Sequence, residues 1–181
     1  MKSLLKFGAV LTLAILLSAD TSFAQQRGMG NGKSPSATIS QNISNKATVT
    51  VAYGRPGLKG RELSTLIHDR ANGKVWRTGA NEATAITFST DVMFGDAEVK
   101  AGSYSLYTIP GDEEWTIILN SKFEWGTTYD ETKDVVRVTA AVGEGSNLEN
   151  FEIYFDNLTD NMAHMNLHWA TTKVAVPIMV K

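Results

Sequence analysis

The sequence predicts an all-β protein, a single-domain antiparallel β-sandwich or jelly roll with one short helix near 61–72. Three observations carry this. Apolar side chains return at every second position in run after run, as a half-buried strand requires. Glycine-rich turn signals separate the runs at regular spacing, the habit of sandwiches rather than of βαβ units. One segment alone breaks the period-two rhythm.

The elements follow in chain order. The first strand is expected near 36–43, and in the second Val49, Val51 and Tyr53 alternate with Thr48, Thr50 and Ala52. Between Arg61 and Asn72, Leu63, Leu66 and Ile67 fall at i, i+3 and i+4, the spacing of a short helix, and Asn72-Gly73 supplies its stop. A plug of this kind covers one open end of a sandwich. Ile86 and Phe88 then alternate with Thr87 and Ser89, and further strands are expected near 97–100 and 103–109. Trp115, Ile117 and Leu119 alternate with Thr116 and Ile118, which suits a strand covered on both faces. A strand near 135–142 precedes one at Phe151, Ile153 and Phe155. Met165, Leu167 and Trp169 oppose His164, Asn166 and His168, and Val174, Val176, Ile178 and Val180 close the chain. Pro177 in that last run points to an edge strand, because proline cannot donate to a ladder. Asn45-Lys46, Gly95-Asp96, Ala101-Gly102, Pro110-Gly111-Asp112 and Gly143-Glu144-Gly145 are read as turns.

Residues 1–24 read as a cleaved secretory signal. Lys2 and Lys6 form a positive start, Phe7 to Leu17 is apolar except for Gly8 and Thr12, and Ser22-Phe23-Ala24 offers the small residues a signal peptidase needs. The apolar run is shorter than the roughly 20 residues a helix needs to cross a bilayer. No second apolar stretch is long enough to span, so no membrane span is expected after cleavage. Residues 25–35 are nearly devoid of apolar side chains and read as a flexible leader, which leaves 36–181 as one β-rich domain. The expected address is the periplasm or cell envelope, or the medium outside.

Composition narrows the chemistry. The chain has 181 residues, 43% hydrophobic and 20% charged, with 17 basic and 19 acidic side chains. A charge of −2 without a clustered basic face speaks against a nucleic-acid partner. The absence of cysteine excludes disulfides, thiolate zinc sites, a cysteine nucleophile and a lipid-bearing N-terminal cysteine. No Gly-x-Ser-x-Gly elbow, phosphate-binding glycine loop or His-Glu-x-x-His is present. No cofactor is expected.

No metal site is expected either. His164 and His168 are four apart on a strand, about 13 Å at the usual rise, too far to share an ion whose bonds are about 2.0–2.1 Å. They read as solvated strand-face histidines. Asp130, Glu131 and Asp134 lack calcium-loop spacing. Trp115, Phe123, Trp125 and Trp169 read as core rather than as sugar-stacking platforms.

The candidate site lies between Tyr53 and Thr84, where Arg55, Arg61, Trp76, Arg77, Asn81 and Glu82 occupy loops joining sheet elements. Arginine's planar fork matches carboxylates and phosphates, and tryptophan stacks on rings or on guanidinium. The expected ligand is a small polar or anionic molecule, a glycan or an envelope partner, bound without catalysis. Two alternatives stand beside it. One is a hydrolase or isomerase using Glu82 with arginine-held substrate; the other is a structural or assembly protein of the envelope. In the purely structural arrangement Glu82 pairs with Arg77 or Arg55 and pins the loops to the sheet.

Tyr53-Gly54-Arg55-Pro56, Lys59-Gly60-Arg61 and Val75-Trp76-Arg77-Thr78-Gly79-Ala80-Asn81-Glu82-Ala83-Thr84 resemble a known family. It is the domain of unknown function 2911 family of secreted bacterial proteins, common in Bacteroidetes. The likeness runs on through Ala101 to Pro110, Trp115 to Ile118, Asp134 to Val138 and Trp169 to Val180, about residues 35–180. It implies an exported β-rich domain and carries over no catalytic positions. Some relatives bear an asparagine synthetase label, which does not suit this chain, since glutamine-dependent amide transfer uses a cysteine nucleophile. Many also show Pro-Tyr-Gly before Trp76, where this chain has His68-Asp69-Arg70-Ala71-Asn72-Gly73.

Overall fold

The alternating runs become nine strands in a computed structural model that describes residues 33–68, 74–123 and 128–180. In chain order they are β1 (Ser36–Ile43), β2 (Ala47–Gly54), β3 (Thr84–Phe88), β4 (Val92–Phe94), β5 (Ala97–Val99), β6 (Gly102–Ile109), β7 (Glu114–Asn120), β8 (Asp134–Asp156) and β9 (Met162–Met179). They hydrogen-bond in the order β1-β2-β3-β6-β7-β8-β9-β4-β5, every neighbouring pair antiparallel. The outer strands β1 and β5 do not pair with each other, so the sheet is not a closed barrel. The segment 1–24, residues 25–32, Asn72-Gly73 and Trp125 lie outside the described residues.

Strand β8 makes the sheet two-layered. Its first part, Asp134 to Ala141, pairs with β7, and the rest, Val142 to Asp156, pairs with β9. The sheet folds over about this strand. Val51, Tyr53, Ile86, Phe88, Leu106 and Ile117 of one layer share a single core with Phe94, Ile153, Met165, Leu167, Val176 and Ile178 of the other. The β4–β5 hairpin leaves β3 for the far layer before the chain returns as β6 beside β3. The predicted all-β antiparallel fold is the one the chain adopts.

Several local expectations change. Gly143-Glu144-Gly145 is not a turn: β8 runs straight through it, with register shifts between Glu144 and Leu148 and again before Glu152. The two runs ending the chain are one strand, β9, with Ala170 in the left-handed region at φ 50°. Pro177 does not mark a sheet edge. Strand β9 lies between β8 and β4, and Pro177 faces Gly95 just past the last β4–β9 pair, so its carbonyl accepts from Gly95 N–H while the return bond that its missing N–H cannot make falls beyond the end of that ladder. The expected helix is a five-residue π-helical turn, Ser64–His68. Its apolar spacing acts as expected, with Ile67 buried and Leu63 and Leu66 packed on the core. His168 is not solvated: it is 4% exposed, and its Nε2 lies 2.9 Å from the Ser146 carbonyl. Trp115 and Trp169 are core residues as expected.

Candidate functional site

Beyond residue 142, β8 has no strand on the side away from β9. Its odd-numbered backbone groups there would be unpaired, and a buried unpaired group is costly. Residues 53–58 supply the partners. The Tyr53 hydroxyl serves Ile153, Phe151 N–H donates to the Pro56 carbonyl, and Leu58 N–H donates to the Glu149 carbonyl. Arg55 Nε donates to the Phe151 carbonyl at 3.2 Å, and Arg55 Nη2 lies 3.4 Å from Glu152 Oε1. Arg55 is thus part of the cover on the β8 edge.

Lys59 and Gly60, both at positive φ, then turn the chain back. Lys59 N–H donates to Glu149 Oε1, and Arg61 is fastened by Nε to the Leu58 carbonyl and by Nη2 to the Gly57 carbonyl. After the π-helical turn the chain returns to β6. Trp76 and Thr108 exchange two backbone hydrogen bonds of 2.7 and 2.9 Å. That contact seats the Trp76 indole against Trp115, Phe151 and Trp169, with Trp76 and Trp169 near parallel at 6.0 Å. The following loop is stapled to itself. Thr84 donates to the Arg77 carbonyl through its N–H and to the Thr78 carbonyl through its hydroxyl, while Thr78 and Asn81 take left-handed conformations. Asn81 Nδ2 donates to the Ser34 carbonyl, and Arg55 N–H to the Pro35 carbonyl, so the last residues read as leader are bonded to these loops.

These segments enclose a recess of about 810 Å³. Of the sequence candidates, Arg61, Trp76, Arg77 and Asn81 line it; Arg55 and Glu82 do not. The expected pairing of Glu82 with Arg77 or Arg55 is not what forms. Arg55 meets Glu152 instead, and neither Arg77 nor Glu82 has an ion pair among the described residues. Arg77 Nε and Glu82 Oε2 are both shielded from solvent with no hydrogen-bond partner.

Sequence reasoning missed Lys33, Lys59, Tyr107, Tyr129 and Trp169 as wall residues. The Lys59-Gly60-Arg61 string was the available signal for one of them; the others reach the recess through the fold alone. Tyr107 and Tyr129 meet edge to face, ring centroids 4.9 Å apart. The Tyr129 hydroxyl donates to Asp134 Oδ2 and accepts from Arg137, which also contacts Glu131. Burial first, and the Asp134 carboxylate second, push the Tyr129 phenol up to about 12, so it stays neutral in the wall. Among the described residues no group of three His, Asp or Glu could hold a metal ion.

Fold and site together define an antiparallel β domain with a cationic, aromatic-walled recess built from its loops. The family described as "Protein of unknown function (DUF2911)" matches residues 34–178, and the chain belongs to it. No curated protein and no solved structure matches the chain.

Proposed function

We propose that this is an exported domain of the cell envelope that binds a small anion in the Arg61–Arg77 recess without catalysing a reaction. The observation that carries the reading is the charge of the walls. Lys33, Lys59, Arg61 and Arg77 contribute four cations, and no Asp or Glu stands among the described lining residues. A cleft lined by one sign of charge focuses its field and concentrates counter-ions, and the volume suits a small molecule. Catalysis by Glu82 would need its carboxylate within hydrogen-bond reach of a bound substrate, and Glu82 is not in the wall. Export rests on the signal pattern of residues 1–24.

The test is the thermal midpoint of the full chain at low ionic strength with benzoate, phosphate and sulfate. A ligand selective for the native state raises stability by mass action, about 2.7 kcal/mol at a hundredfold excess over Kd. At least one of these anions should raise the midpoint, the effect should fade with added salt, and Lys59→Ala and Arg77→Ala should each reduce it. A folded chain that responds to none of them overturns the reading. So does an Arg77→Ala variant that melts far earlier yet keeps the full anion response, which would make the cluster structural.

A further inference from the structure

Resting on that reading, we infer that the anion is a carboxylate carried on a flat apolar ring, an aromatic acid rather than a sugar acid or an inorganic ion. Three observations converge on this class.

The first is Arg77. Arg61 has committed Nε and Nη2 to backbone carbonyls, and Arg55 is tied to β8. Arg77 makes no side-chain hydrogen bond or ion pair with a described residue, and its Nε–H is removed from water without an acceptor. That donor carries an uncompensated desolvation penalty. A carboxylate approached side-on takes Nε–H and one Nη–H together, a pairing that fits the guanidinium fork. A carboxylate in the recess that reached this edge of the guanidinium would satisfy both.

The second is the state of the other polar groups. Asn81 Nδ2 donates to Ser34, Trp76 Nε1 to Gly79 and Trp169 Nε1 to Glu149, each to a carbonyl oxygen. The Tyr129 hydroxyl is taken by Asp134 and Arg137. A polyhydroxylated ligand entering here would surrender hydrogen bonds to water and find few replacements. A ligand whose polarity is confined to one anion loses little.

The third is what those committed groups leave on offer. With their N–H and O–H groups engaged elsewhere, the half-buried Trp76 and Tyr129 bring rings to the lining, and the buried Trp169 backs Trp76 from behind. Ring faces and edges favour another flat ring over a puckered or small guest.

The experiment uses the full chain, tryptophan fluorescence and titration calorimetry, with 2-naphthoate, cyclohexanecarboxylate, glucuronate, sulfate and the neutral 2-naphthamide. 2-Naphthoate should bind about tenfold more tightly than each of the others, the order of one ring–ring contact combined with charge. Arg77→Ala should weaken it about tenfold or more, and Arg77→Lys, which keeps the charge without the fork, should also weaken it. If Arg77→Ala does not fold, Arg77→Lys is decisive. Glucuronate, cyclohexanecarboxylate or sulfate matching 2-naphthoate overturns the aromatic-acid inference and leaves the anion reading intact. 2-Naphthamide matching it, or no binding at all, overturns both. Undiminished binding of 2-naphthoate by Arg77→Lys removes the bidentate anchor and with it the inference.

Discussion

The Tyr53 hydroxyl closes both backbone valences of Ile153, accepting its N–H at 2.9 Å and donating to its carbonyl at 3.3 Å. One side chain thus stands in for a missing strand on the β8 edge, across the core from its own β2. Tyr53→Phe keeps the ring and its edge-to-face contact with Phe151 at 5.8 Å, but leaves a buried donor and acceptor unpaired. Each such group costs about 1–3 kcal/mol. Urea unfolding should show a loss of about 2–6 kcal/mol for the two groups together, and the Ile153 amide should exchange faster. An unchanged midpoint would mean water reaches this edge, contrary to the burial of both residues.

Gly54 ends β2 beneath the recess loop, and a Cβ there would lie 2.2 Å from the Ala80 carbonyl oxygen. The obstacle is backbone, so no rotamer change relieves it. Gly54→Ala should displace the Gly79–Asn81 wall, destabilise the fold by about 1–3 kcal/mol, and weaken anion binding beyond what stability explains. Calorimetry on the folded fraction checks this. Full binding affinity at reduced stability would show that the wall re-forms elsewhere.

The strands were readable because each buries alternate side chains, and alternation survives in sequence: β1 is found at the predicted 36–43. Misreadings occurred where a residue serves a distant neighbour. Gly145 looks like a turn glycine but sits inside β8 to make room for an imidazole. His168 looks like a solvated position and is buried by that same contact. Strand β4 is three residues long, too short to show a period. At the site, Arg55, Arg61 and Arg77 were visible as residue types, but not which were already committed. Sequence carries side-chain chemistry; which carbonyl each guanidinium meets is decided by loops closing on β8 and β6. Lys33 comes from ahead of β1 and Tyr129 from the connection between β7 and β8, a convergence no local pattern encodes.

Tyr129 should report its surroundings in alkali. Its folded phenol ionises near 12 against 10.0 for a free one, so the unfolded chain loses this proton first. The contribution is therefore complete below about pH 10 and is lost as pH rises towards about 12. Burial also raises Tyr53 and Tyr104, so the whole protein weakens in alkali and a difference measurement is needed. The stability gap between the parent and Tyr129→Phe should be constant near neutrality and shift against the parent above about pH 10. A gap independent of pH would place the hydroxyl in free contact with water.

Gly145 and His168 provide the sharpest separation of close packing from backbone conformation. A Cβ on Gly145 would stand 2.5 Å from both Cε1 and Nε2 of His168. The ring is held there by its bond to the Ser146 carbonyl and is nearly devoid of solvent contact. Gly145 does not lie in the left-handed region, so alanine brings no backbone strain and the whole penalty should come from the imidazole. Gly145→Ala should cost about 1–3 kcal/mol in the parent and close to nothing in a His168→Ala background. The cycle of four proteins, followed by urea unfolding, should thus give a coupling of the same size as the single Gly145 effect. Additive costs would mean that the glycine is required by the bulged backbone rather than by the ring. Anion binding should be unchanged in all four, because neither residue lines the recess.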